Sequence, residues 1–390
     1  MEFFENDEKK YFNTSEKSVN ICLTKLQDID KAVSILEERI IFSQKIGKDD
    51  KVYHTNSELV RVLGQNNNLT EKQMHKLKAS LLEVISENST TIQNSEHMKT
   101  YIKLLYKLRD MEELLKIAFV MNKLFPEIAF SLEWICKVYL EYVTDTLNFK
   151  NEQLEITIET HVENLLGLNE TSTLGRLAQA ALIWNIKKDI KESSKLFKNI
   201  LEGATNPNFY ALYIFCQCQM SLNNFDQAEN SLNLAIASLS DKVKDNITRT
   251  KLEKILQSML ANACYEQGKF EKVLQASKNT HDRKDILIKS YAHLGMKKDV
   301  ENLLEKVGAQ DKYLSLAIIE KQNGNSQEAL KYLSEIKGDI FEAILLKGQI
   351  YWESEQVDHA QQSFLLAAKT NPYSWMPFFY LGEFYKNSGM

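Results

Sequence analysis

Three features of the chain specify an all-α solenoid, a right-handed superhelix of stacked helix pairs whose repeats are degenerate. The first is composition. Of 390 residues only 13 are Gly and 4 are Pro, while 44% are hydrophobic. That supplies apolar surface for a continuous core and few breakers for a turn-rich architecture. The second is periodicity. Apolar residues recur at helical spacing along most of the chain, and no run alternates convincingly as a strand does. The third is a signature near the C-terminus. Gly348, Tyr351, Ala360, Phe364, Ala367 and Pro372 follow one another in that order, and the same order restarts at Phe378, Leu381, Gly382 and Tyr385. Gly382 thus repeats Gly348 one unit later. A period of about 34 marks a helix–turn–helix unit that buries its apolar face only by stacking on its neighbours.

That spacing resembles a tetratricopeptide repeat, and each residue in it has a physical task. Gly348 lets the two helices of the pair approach closely, where a Cβ would hold them apart. Ala360 and Ala367 keep the second helix thin where the next pair packs. Tyr351 and Phe364 fill the space between, and Pro372 ends the second helix because its ring and missing N–H cannot continue it. Gly382 and Tyr385 open the following unit. These are structural repeat positions; they describe a surface and contain no chemistry.

In chain order, residues 1–14 are polar and charged, and a loosely ordered N-terminus is expected there. Residues 15–92 read as irregular helical repeats. Val19, Cys22, Leu23 and Leu26, then Ala32, Val33, Leu36 and Ile40, fall at helical spacing, and polar breaks interrupt them. Residues 93–390 form the tetratricopeptide-like solenoid. Tyr101 to Leu108 pairs with Glu112 to Leu124 and is closed by Pro126. Ala129 to Val143 is a strong helix, with Glu152 to Leu165 a less regular partner. Arg176 to Ile186 is followed by Ile190 to Leu201. Leu212, Cys216, Ala228, Leu232 and Ala235 occupy good repeat positions, and shorter pairs turn at Gly295 and Gly324. The small-residue positions Ser193, Ala228, Val273, Val300, Ala329 and Ala360 fall at uneven intervals. The longest lies between Ala228 and Val273 and the shortest between Val273 and Val300, so the array departs widely from a uniform period. About twenty helices are expected by this pattern reading. The last, 373–386, carries Trp375, Phe378, Phe379, Tyr380, Phe384 and Tyr385 and has no second helix to cover it. A terminal repeat normally presents a polar outer face. The expectation is therefore an array that continues in a longer chain, or a partner that covers the helix.

Bulk charge bounds the partners. With 48 basic and 53 acidic residues, net −5, the chain lacks the basic excess of a dedicated nucleic-acid binder, and direct nucleic-acid binding is not expected. The stripe Lys187, Lys191, Lys195 and Lys198 is diluted by Asp189 and Glu192 and reads as a solvated face. Five cysteines in apolar helical pattern read as reduced core residues of an intracellular protein. Cys216 and Cys218 point about 200° apart on a helix and cannot share a metal ion. The seven histidines include no pair at i, i+4. No phosphate-binding loop, nucleophile elbow or H-E-x-x-H is present, so no catalytic residue, cofactor or metal is expected. No stretch reaches the roughly 18 apolar residues of a membrane span. The positions that form a basic carboxylate clamp in some peptide-binding relatives hold Glu133 and Lys137, Tyr213 and Gln217, and Leu345 and Gln349, which departs from that pattern.

Two segments carry a more specific resemblance. One is LFPEIAFSLEWICKVYLEY, Leu124 to Tyr142, where a Pro closes one repeat and a Leu-Glu-x-Ile-Cys helix opens the next. The other is Gly348 to Gly389, which holds Tyr351-Trp352, Ala367-Ala368-Lys369 and Tyr380-Leu381-Gly382 in that order. With the irregular spacing between them, they resemble the large tetratricopeptide scaffold subunit of the superkiller (Ski) complex across most of residues 27–390. The resemblance implies a subunit without catalytic activity. It would hold an RNA helicase and a β-propeller subunit together and, through them, serve the exosome in 3′-to-5′ mRNA decay in the cytoplasm, with the nucleus a second location. It also implies that this chain is part of the N-terminal arm of a longer family member. The alternative is a tetratricopeptide adaptor of another complex, in trafficking or in a ubiquitin ligase.

Overall fold

The structure, a computed structural model, describes all residues except 1, 67, 87, 145–150, 203, 205–206, 243–245, 278–282 and 388–390. Residue 1 of the N-terminal stretch and Gly389 of the C-terminal segment therefore lie outside the described residues. Those described form 21 α-helices and no strand. The chain divides into two compact units, Met1–Gly203 and Ala204–Met390. The expected divisions after residues 14 and 92 both fall inside the first.

The first unit contains α1 (Glu2–Ile21), α2 (Ile29–Lys45), α3 (Asp49–Gly64), α4 (Glu71–Val84), α5 (Ile92–Lys107), α6 (Met111–Leu124), α7 (Ala129–Val143), α8 (Glu152–Leu168), α9 (Thr173–Leu182) and α10 (Ile190–Leu201). Residues 2–14 are helical rather than loosely ordered. Tyr11 and Phe12 explain this: their rings lie 4.3 and 6.0 Å from the ring of Phe42 on α2, so α1 has an apolar anchor among its charges. Helix starts are set by side-chain caps. Thr70 and Gln73 form a reciprocal capping box on α4, and Asp110 and Asp189 accept from backbone N–H groups of α6 and α10. Single π-helical turns, Cys22–Leu26 and Ile183–Lys187, close α1 and α9.

The second unit contains α11 (Phe209–Ser221), α12 (Phe225–Lys242), α13 (Asn246–Glu266), α14 (Phe270–Ser277), α15 (Lys284–His293), α16 (Lys297–Leu303), α17 (Ala309–Gln322), α18 (Ser326–Ser334), α19 (Phe341–Glu353), α20 (Val357–Thr370) and α21 (Met376–Asn387). Odd- and even-numbered helices up to α20 pair as hairpins, and one turn geometry recurs. A residue in the left-handed region follows the first helix: Asn223, Gly268, Gly295, Gly324 and Glu355, with φ between 58° and 81°. The next N–H then donates to the carbonyl five positions back, as Met296 does to Tyr291 (2.9 Å) and Gln356 to Tyr351 (2.8 Å). This is the 6→1 bond that terminates helices at such a residue. In the first unit Arg109 and Asp110 repeat it between α5 and α6. The repeat is thus written in backbone geometry even where its sequence period drifts.

Small residues lie where the helices meet. Ala228, Val273, Val300, Ala329 and Ala360 are all fully buried. In the second unit Ile288, Ala292, Val300, Leu314, Ala317, Ala329, Leu333 and Ile350 belong to one core. A second core gathers Leu345, Ala360, Phe364, Ala367 and Leu381.

Candidate interaction surface

The signature residues converge on the hairpin α19–α20 and on α21. Gly348 sits on α19 opposite Phe364 of α20. A Cβ built on Gly348 would stand 2.6 Å from the Phe364 ring, closer than packed atoms approach. Phe364 is fully buried, and its ring stacks on Tyr380 of α21, with centroids 4.6 Å apart and planes 4° from parallel. Gln349 of α19 donates to the Tyr380 hydroxyl (3.2 Å). Ala360 and Ala367 are buried on either side of Phe364 along α20. Tyr351 lies against the same core, its ring 5.2 Å from that of His359. Pro372 is exposed in the turn two positions after the end of α20.

Gly382 and Tyr385 stand apart from this packed set. Nothing lies within 4 Å of a Cβ built on Gly382, and Tyr385 is exposed, its hydroxyl accepting from Gln361 (3.3 Å). Around them Trp375, Phe378 and Phe379 are 68%, 50% and 55% exposed. Helix α21 therefore packs one face on α20 through Tyr380 and Leu381 and leaves an aromatic face open.

A charged layer links four helices of the same unit. Lys289 of α15 bonds Glu342 of α19 (2.9 Å), approaches Asp311 of α17 (3.8 Å), and stands over the ring of Tyr265 of α13 at 5.0 Å. Burial, then the charge of Glu342, pushes the carboxyl of Glu266 up. Burial also raises Asp311, with Lys289 opposing it. His293 is pushed down to about 4, chiefly by burial, against the pull of Glu342. Its ring stacks on Phe270 at 4.2 Å. A single nearly buried ammonium is thus shared by carboxylates from two helices, a structural tie rather than a reactive site.

In the first unit the aromatic and charged residues are equally engaged. Lys137 lies 3.9 Å from the centroid of Tyr106 and 4.2 Å from that of Trp134, and burial lowers its pKa. Buried Glu141 accepts from the Tyr106 hydroxyl and from Arg109 (3.0 Å). Of the six clamp positions, Lys137 is therefore committed to its neighbours and Gln349 to Tyr380. A cavity of about 640 Å³ opens beside α4 and α6, lined by Lys78, Leu82, Tyr101, Asp110, Glu113 and Phe119 among others; Lys78 and Asp110 are paired across it at 2.7 Å.

Cys216 and Cys218 are both fully buried, and burial pushes the thiol of Cys216 up. No group of three or more potential metal ligands occurs among the described residues. Lys187, Lys191, Lys195 and Lys198 are exposed, with Lys187 near Glu159 (3.1 Å) and Lys198 near Glu202 (3.6 Å). Among the described residues no helix is long and apolar enough to cross a membrane. Sequence reasoning missed the Lys289 layer, because its members lie far apart in the chain and share no spacing.

A family model described as a tetratricopeptide repeat matches residues 341–374, which spans α19, α20 and the turn after them. No curated protein matches the chain in sequence. Among solved structures, the human IFIT1 dimer with PPP-AAAA is 14% identical, with 94% of this chain and 86% of that one covered and a TM-score of 0.37. The APC/C hetero-tetramer Cut9–Hcn1 is 11% identical, with 97% and 85% covered and a TM-score of 0.35. At that level neither protein's ligand nor its assembly transfers to this chain.

Proposed function

Starting from a tetratricopeptide-type helical repeat protein, we propose that the chain is a non-catalytic protein-interaction scaffold of the superkiller type, one that holds an RNA helicase and a β-propeller subunit for exosome-mediated mRNA decay. The observation that carries this reading is the pair of segments Leu124–Tyr142 and Gly348–Gly389. The first lies at the α6–α7 junction, where Pro126 follows the last residue of α6 by two positions. The second spans α19 to α21, the stretch that ends in an exposed aromatic face. The near-balanced charge, 48 basic against 53 acidic residues, supports protein rather than nucleic-acid partners. The cytoplasm, with the nucleus as a second location, is the setting this function requires.

The test is affinity purification of the tagged chain from nuclease-treated lysate, followed by mass spectrometry. Recovery of an RNA helicase together with a β-propeller protein is the expected result. Recovery of vesicle-coat or ubiquitin-ligase components in their place would overturn it.

A further inference from the structure

The cavity beside α4 and α6 holds a charge and a hydroxyl that the fold leaves unused. Its volume, about 640 Å³, lies within the roughly 300–1,000 Å³ of small-molecule sites. Three carboxylates in its lining, Asp110, Glu112 and Glu113, face two ammoniums, Lys78 and Lys116. Lys78 is taken by Asp110 at 2.7 Å. Lys116 and Glu112 are both exposed and lie one helical turn apart, where solvent screens them. Glu113 is left over: it is half-buried, with no cation at ion-pair distance among the described residues.

Tyr101 is the second unused group. It is fully buried and lines the cavity from α5, yet its hydroxyl has no hydrogen-bond partner among the described residues. Buried hydroxyls in folded proteins are ordinarily satisfied. Burial, then the charges of Glu113 and Asp110, push its pKa up to about 12, so the hydroxyl stays neutral in the field of the unpaired carboxylate. The walls are held in place. The Lys78–Asp110 pair ties α4 to the start of α6, and the Phe119 ring stacks on His161 of α8 at 5.3 Å. Leu82 and Val120 complete an apolar side.

We propose that this cavity binds a small organic cation, an ammonium or guanidinium carried on an apolar stem. The cation pairs with the Glu113 carboxylate and donates to the Tyr101 oxygen, while the stem lies against Leu82, Phe119 and Val120. A cationic donor on a half-buried carboxylate makes one of the stronger hydrogen bonds available to a protein, and here it leaves the Lys78–Asp110 pair intact. An anion would meet three carboxylates, and a neutral apolar ligand would leave Glu113 and Tyr101 unmet. Two sources carry the required chemistry: a free amine or guanidine, and the Lys or Arg side chain of a protein partner. Such a site functions whether or not the chain is a superkiller-type scaffold.

The test is a titration of the purified full chain, followed by NMR of the methyl groups of Leu82 and Val120. Butylguanidinium is the first probe and butylurea, its uncharged isostere, the second. Saturable shifts are expected with butylguanidinium, with affinity roughly tenfold or more lower for butylurea and in Glu113→Gln. Glu83→Gln, which removes an exposed carboxylate of α4 outside the cavity lining, should bind as the parent does. Tyr101→Phe should keep or raise the urea midpoint, because it removes an unsatisfied group, and should weaken binding several-fold. A capped Ala-Arg-Ala peptide separates the two sources: binding at least tenfold tighter than butylguanidinium identifies a partner's side chain, and weaker binding a free ligand. Absence of saturable shifts with both butylguanidinium and the peptide overturns the proposal. So does binding indifferent to Glu113→Gln, or undiminished in Tyr101→Phe.

Discussion

An alanine at Gly348 would place a methyl group 2.6 Å from the ring of Phe364, which is fully buried and stacked on Tyr380, so the ring must shift within a packed core. Overpacking of this kind costs about 1–3 kcal/mol, offset in part by the better helix propensity of Ala. Gly348→Ala should therefore lower the urea midpoint at unchanged m-value. Gly382→Ala meets no atom and should raise the midpoint, by about 0.5–1 kcal/mol of helix propensity alone. Two glycines with the same sequence signature are thus distinguished by opposite shifts, and a neutral Gly348→Ala would mean that the Phe364 ring can retreat. Glu355 gives a third residue-scale prediction. It is an exposed residue held at φ 58°, where an L side chain costs about 1–2 kcal/mol. Glu355→Gly should stabilise the hairpin by about 0.5–1 kcal/mol after the added entropy of Gly in the unfolded chain, read as a higher midpoint in the same titration.

Helix α15 carries a pH dependence that its sequence does not advertise. His293, in its last turn, is stacked on Phe270 and held neutral well below the ordinary histidine value of 6.5, down to about 4, mainly by burial. Between those values the unfolded chain takes up a proton that the folded chain refuses. Stability contributed by His293 is complete above pH 6.5 and is lost as pH falls toward 4. The loss over the whole window is on the order of 2–3 kcal/mol. Carboxylates near it act in the opposite direction, since Glu266 and Asp311 are raised, chiefly by burial. Urea denaturation at pH 7, 6 and 5, run on the parent chain and on His293→Phe, separates the histidine from these carboxylates by difference. The slope should flatten in His293→Phe, which keeps the ring stack, and a slope equal to that of the parent chain would refute the assignment. Much at this scale was legible in the sequence: the hairpin α19–α20 from its offsets, and the turns at Gly295 and Gly324, which do adopt positive φ. The same turn was hidden at Arg109, Asn223 and Glu355, because residues other than glycine occupy the left-handed position and only the 6→1 hydrogen bond reveals it. Helix α1 was hidden because its anchor is the contact of Tyr11 and Phe12 with Phe42, which belongs to the following helix. The Lys289 layer was hidden for the same reason, since tertiary neighbours leave no period.

For the molecule as a whole, the consequence of repeat architecture is that structure is held by neighbours. Each helix pair buries its apolar face on the adjacent pair, so stability is a sum of local terms rather than the property of one core. Two compact units, 1–203 and 204–390, should then respond separately to damage. Leu105 on α5 and Phe364 on α20 are both fully buried, and truncating either to Ala should cost about 2–5 kcal/mol. Hydrogen exchange read segment by segment should show Leu105→Ala lowering protection in α4 to α7 while α17 to α20 keep theirs. Phe364→Ala should do the reverse, beginning at α19 to α21. A single cooperative fold would lose protection everywhere in both variants, and that outcome would rule out nearest-neighbour stability. The distinction matters for a scaffold, because a chain whose segments are stable independently can yield in one segment without disturbing the others.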